Sequence, residues 1–166
     1  TNQKPDLNVA TDTLTAWSMV GTLVTHPAGY ELATNGAVLV DNTLLFDVAF
    51  IVDSLHQQVL VYPVRLLIDP IIVTRHVGLQ RLTQNFDSVD YALKLGYQFD
   101  SVYALSPGQG LMIVSNPAGC LALPNPSLYG KFVIDSINTS LKTLYFRATV
   151  DPNCGFRSFA PGLPTF

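Results

Sequence analysis

The chain has 166 residues, a net charge of −3, 48% hydrophobic side chains and only 13% charged ones. That length suits one domain with a real core, while the charged share is about half that of an ordinary globular domain. The absence of a basic cluster excludes phosphate-rich partners such as nucleic acid. No apolar run reaches 18 residues without a charge or turn former, so no transmembrane helix is expected.

Taken in chain order, residues 1–8 read as a polar extended tail, 9–154 as one β-sandwich domain and 155–166 as a second tail. Thr1 is not Met and no signal peptide is visible, which suggests a processed mature chain or a trimmed piece. Leu14 to Val24 predicts a first strand with Trp17, Met19 and Leu23 on one face. Asn35-Gly36 predicts a two-residue hairpin turn pairing Tyr30–Thr34 with Ala37–Val40, because that dipeptide accepts positive φ.

Thr43–Val52 and Val59–Ile68 are apolar on both faces at period two, the pattern of strands covered from both sides. Pro63 cannot donate to a ladder and implies an edge or a bulge. Turns are expected at Asp53–Gln58 and Asp69-Pro70. A helix is expected over about 87–95, with Asp87 as its cap, Phe86 and Tyr91 as a hydrophobic staple and Gly96 at its end.

No charged residue stands between Asp100 and Lys131, and Pro and Gly interrupt that stretch repeatedly. It reads as loop with one strand, Leu111–Val114. Lys131–Ile137 and Leu141–Val150 form a closing hairpin, whose last strand turns Leu144, Phe146, Ala148 and Val150 inward and Thr143, Tyr145, Arg147 and Thr149 outward. The fold class is therefore all-β, an immunoglobulin-like or related two-sheet sandwich with one short helix. Cys120 and Cys154 allow one disulfide, which suits an oxidising, extracytoplasmic setting: secreted, cell-surface or periplasmic.

Three short pieces add a resemblance. Pro5-Asp6-Leu7, Leu105-Ser106-Pro107-Gly108-Gln109-Gly110 and the closing Tyr145–Asn153 (YFRATVDPN) resemble, in the same order, bacterial immunoglobulin-like adhesion modules of the CARDB type. The resemblance implies an immunoglobulin-like sandwich with an adhesive or structural role and no catalytic residue. The chain departs from that pattern in its length, its expected helix and its cysteine pair.

Catalytic constellations are missing. His26, His56 and His76 share no metal-ligand spacing, and Asp87, Asp90 and Asp100 lack the spacing of a calcium loop. Asp47 and Asp53 would lie about 20 Å apart along a strand, too far for an acid/base pair. No serine sits in a nucleophile elbow, and Gly108-Gln109-Gly110 lacks a dinucleotide loop's third glycine. No enzyme activity, metal or cofactor is expected. Asn138-Thr139-Ser140 fits a glycosylation sequon.

A globule of this length exposes about 8,000 Å², to be served by 9 basic and 12 acidic side chains. Large uncharged areas are interaction surfaces. The expected function is a non-catalytic exported subunit acting by contact with a protein partner or with copies of itself. Its interface is expected in loops 105–130 and the tail 152–166: Leu105, Pro107, Leu111, Met112, Leu121, Leu123, Tyr129, Phe156 and Phe159. The alternative is a carbohydrate or small-ligand module using aromatic side chains among Trp17, Tyr30, Tyr97, Tyr103 and Tyr129.

Overall fold

The computed structural model describes residues 4–69 and 75–164. Among these, ten strands build two five-stranded antiparallel sheets stacked as a sandwich. The first sheet has the order β1-β10-β9-β8-β6 and the second β3-β2-β4-β5-β7. The strands are β1 (Ala10–Trp17), β2 (Gly29–Glu31), β3 (Gly36–Val38), β4 (Val48–Asp53), β5 (Gln58–Pro63), β6 (Gly78–Arg81), β7 (Tyr103–Leu105), β8 (Gly110–Ser115), β9 (Leu128–Asn138) and β10 (Thr143–Asp151). Part of the N-terminal tail, Pro70 of the expected Asp69-Pro70 turn and the last two residues lie outside the described residues.

Four aromatic rings lock the sheets together. Tyr30 and Phe50 come from the second sheet, Phe132 and Phe146 from the first, with centroids 5.3 to 6.2 Å apart. All four are fully buried, and such tilted and edge-on pairs stabilise beyond their area. Asp47 forms the polar counterpart. Its carboxylate accepts from the Leu32 N–H (2.7 Å), the Ser115 hydroxyl on β8 (2.6 Å) and Arg75 Nη1 (3.2 Å).

The expected strands are shorter than their apolar runs, and polar side chains set the limits. β1 stops at Trp17 because the Ser18 hydroxyl turns inward and accepts the Val52 N–H at 3.0 Å, while Gly21 takes positive φ. Thr43–Asp47 is no strand: Asp41 accepts both the backbone N–H and the hydroxyl of Thr43, and Leu44 has φ +60°. The hairpin at Asn35-Gly36 forms, but Glu31 pairs with Gly36, so the loop holds four residues. Asn35 alone takes positive φ (+46°). Pro63 ends β5 opposite Val48, beyond Val61, the last residue paired to β7. Its missing N–H therefore costs no ladder bond.

The helix expected over 87–95 does not form. Only a single 3-10 turn, Phe86–Ser88, is present, and the chain then runs extended across the outer face of β8 and β9. Lys131 on β9 is buried, and its ammonium donates to the carbonyls of Phe86 and Val89 (2.9 Å for the latter). It also lies 4.2 Å from the centre of the Phe86 ring. Burial pulls its pKa below the ordinary lysine value. The Ala92 N–H goes to the Arg157 carbonyl, and the Phe159 N–H to that of Asp90. A nine-residue helix is marginal alone, and these tertiary partners take the groups it would have used.

That strap makes a second core of Val89, Ala92, Met112, Val114, Tyr129 and Phe159. β8 is thus covered on both faces, buried along its whole length. Of the two runs expected to be so covered, β4 is buried on both faces at Val48–Phe50, while β5 alternates buried and half-buried. Residues 155–164 are correspondingly no free tail. Phe159 is buried and Val9 and Gly162 exchange two backbone hydrogen bonds.

Two of the three quoted motifs meet in space. Asn153, just past β10, accepts the Asp6 and Leu7 N–H groups (2.9 and 3.0 Å) and donates to the Leu7 carbonyl. The third, at Ser106–Gln109, carries the chain from β7 in one sheet to β8 in the other, with Gly108 at φ +88°.

Candidate functional site

The residues expected to form an interface are not brought together. Leu105 and Leu111 belong to the main core, and Met112, Tyr129 and Phe159 to the second. Leu105 and Leu111 are spent between the two sheets, and Met112, Tyr129 and Phe159 beneath the strap at 86–98. Phe156 is half-buried, while Pro107, Leu121 and Leu123 are exposed. Cys120 and Cys154 are disulfide-bonded, with Cα atoms 5.7 Å apart. The bridge fastens the turn after β8 to the segment after β10.

The expected aromatic platform does not assemble either. Tyr30 and Tyr129 are buried, the Tyr97 hydroxyl donates to the Leu93 carbonyl, and Tyr103 lies under Arg81. Trp17 stands apart from them, on an open groove of about 610 Å³. The floor is the outer face of the first sheet, where Thr15 lies opposite Tyr145 and Trp17 opposite Thr143. Thr22, Leu23 and His26 wall one side, and the β9–β10 hairpin tip, Ser140 and Leu141, the other.

Local sequence explains each part. Trp17 and Tyr145 occupy outward positions of neighbouring strands, so alternation puts both rings on one surface. His26 stacks on Trp17 with centroids 4.7 Å apart, held where the chain turns back and the Pro27 carbonyl accepts the Trp17 N–H. None of the lining side chains is Asp, Glu, Lys or Arg. Leu23 (66% exposed) and Leu141 (63%) form an apolar rim. Two polar atoms of lining residues, His26 Nδ1 and Thr143 Oγ1, are buried from solvent and have no partner among the described residues. Such atoms are rare in folded proteins and ask for an explanation.

Other polar constellations have structural work. His56 pairs with Asp53 at 2.7 Å on an exposed turn, and that contact holds the Asp53 carboxyl below its usual range. The His76 N–H is taken by Asn116. Arg147 pairs with Asp87 and Asp135. Among the described residues no three His, Cys, Asp or Glu side chains gather as a metal site.

Asp151 is fully buried, and its Oδ2 has no partner among the described residues. Burial pushes its carboxyl above the ordinary range, against the hydrogen bonds Asn153 donates to Oδ1. The folded state thus holds this proton more tightly than the unfolded chain. That contribution is full below the unfolded pKa and is lost as pH rises through the folded one. Asp151→Asn, which cannot ionise, is therefore expected to gain on the wild type most at neutral pH. Thermal melts from neutral to mildly acidic pH should show the gap closing on acidification.

No known protein family, curated relative or solved structure matches this chain. The architecture is nonetheless a two-sheet, all-β sandwich of immunoglobulin-like kind. Sequence reasoning placed Trp17 and Tyr145 correctly as strand aromatics but did not join them. Tyr145 was read as outward and Trp17 only as sharing a face with Met19 and Leu23, and their adjacency depends on the β1–β10 pairing across 128 positions of sequence, between Trp17 and Tyr145.

Proposed function

We propose that this chain is a non-catalytic, exported interaction module that docks onto protein through the Trp17 groove. What carries this reading is a solvent-open groove with an apolar rim and no Asp, Glu, Lys or Arg in its lining. Uncharged surfaces with aromatic anchors are the usual centres of protein contacts. The disulfide fits an oxidising compartment. A role in adhesion, in the manner of the CARDB-type modules its motifs resemble, belongs to the same proposal.

A second reading rests on a specific observation. A tryptophan on an open groove lined by the hydroxyl side chains of Thr15, Thr22, Ser140 and Tyr145 also suits a sugar, which stacks its apolar face and offers hydroxyls. A photo-crosslinker decides between them. Benzoylphenylalanine replacing Leu141, irradiated in the producing cell, is expected to give discrete protease-sensitive adducts. The same group replacing Leu95, exposed but outside the groove, should give none. Absence of protein adducts, together with glycan-array binding that Trp17→Ala abolishes, would overturn the protein reading in favour of the sugar.

A further inference from the structure

The first sheet ends in β1, and the side of β1 that faces away from β10 has backbone groups to spare. Ser18 donates to the Lys142 carbonyl, on the β10 side, whereas Trp17 donates outward to Pro27 and Val9 outward to Gly162. Hydrogen-bonding direction alternates along a strand, so Thr11, Thr13 and Thr15 also aim their N–H and C=O groups outward. Nothing among the described residues meets those groups. Ala10 to Thr13 are exposed, and Leu14 and Thr15 half-buried. Gly162 closes this open edge at one end and Pro27 at the other, leaving a gap opposite residues 11–15.

Natural edges are usually blunted by lysine, proline or a bulge. β1 has none of these: it pairs with β10 in unbroken register. Its one charge, Asp12, accepts from Asn35 Nδ2 at 3.1 Å and is drawn toward the second sheet. The other edges are less open. β3 and β7 have three residues each, and β6 already exchanges bonds with Gln98 through Leu79.

We propose that β1 accepts an extended segment of a partner protein as an added strand opposite Thr11–Thr15, with one uncharged side chain of that segment entering the Trp17 groove. This rests on the protein-contact reading above and specifies its mode. Three donors and three acceptors alternating at strand spacing match a main chain in β conformation and no compact ligand. The side chain that enters the groove is uncharged, because no Asp, Glu, Lys or Arg lines it. The groove adjoins the gap because Thr15 belongs to both, and a side chain opposite Thr15 lies about 5 Å from it.

A second copy's β1 does not fit. Centred on Thr13, such a pair would put Trp17 of one copy beside Val9 of the other, where Pro27 and Gly162 already stand.

Phage-displayed random heptapeptides, with enriched sequences then made as free peptides, provide the probe. Hydrogen exchange in the unbound protein should alternate along β1, fast at Thr11, Thr13 and Thr15 and slow at Asp12 and Leu14. Saturating peptide should slow the three fast amides by about tenfold or more, a loss of open-edge population readable as free energy. Thr13→Pro removes an outward N–H that no fold contact uses, so it should melt near the wild type and bind at least about tenfold more weakly. If no peptide is enriched, or if binding leaves those three amides fast, strand addition is wrong, and the exchange result stands whether or not T13P folds. Peptides that bind T13P normally but are lost on Trp17→Ala would sink the edge while sparing protein contact in the groove. Glycan binding lost on Trp17→Ala, with no peptide enriched, would sink both.

Discussion

Asp47→Ala is expected to cost about 4 kcal/mol of folding stability, the scale seen when one partner of a buried charge pair is removed. The carboxylate is 1% exposed and holds groups from three places: the Leu32 amide after β2, the Ser115 hydroxyl on β8 and the Arg75 guanidinium. Removing it strands a largely buried cation and two neutral donors at once. Arg75 has Glu31 as its other carboxylate, but at 3.9 Å. Burial pushes the Glu31 carboxyl upward, with Arg75 opposing, so Glu31 is a weaker charge partner than its position suggests.

Asp47→Asn, which keeps an acceptor for Leu32 or Ser115, should lose less. Denaturant melts of both variants check the order. Equal losses would show that the charge on Asp47 contributes little beyond its shape. Ser115→Ala should then be partly non-additive with Asp47→Ala, because the two groups share one contact.

Loss of the Cys120–Cys154 bridge is the second large effect. The cysteines are 34 positions apart, and closing a loop of that size removes chain entropy equivalent to about 4 kcal/mol in the unfolded state. For a chain of this length that corresponds to roughly 8–15 °C in melting temperature. Cys120→Ala with Cys154→Ala, compared with the reduced wild type, should melt alike and well below the oxidised protein. Intact mass should rise by two hydrogens on reduction. The damage should be local first, because Cys154 follows Asn153, which holds Asp6 and Leu7. Hydrogen exchange should quicken in residues 4–9 and 117–124 before it does in the β9–β10 hairpin.

How much of this was legible from the sequence varies with how local the cause is. The closing hairpin was readable because Leu144, Phe146, Ala148 and Val150 alternate cleanly, and all four are buried. Thr143 and Thr149 were expected outside and are buried too. Thr149 shares a hydrogen bond with Thr11 on the outer face, a neighbour no alternation rule can supply. The disulfide followed from having two cysteines and no other.

The helix at 87–95 had every local signal in its favour and failed on a distant one, since Lys131 and Arg157 compete for its backbone. Likewise, the uncharged run 101–130 looked like an outer surface because its cover comes from another segment. Absence of charge marks burial or contact, and only the fold separates the two. The groove needed β1 against β10, the widest separation of any strand pair in the two sheets, and was invisible for that reason.

The pairing of β1 with β10 sets Ala10 against Val150, so the chain enters and leaves the first sheet at the same end. Tension applied to the two ends would therefore peel these strands apart one rung at a time, starting with the Val9–Gly162 pair, instead of loading all rungs together in shear. A module built this way yields gently when stretched lengthwise, and holds best when load reaches it sideways, through whatever sits on its flank.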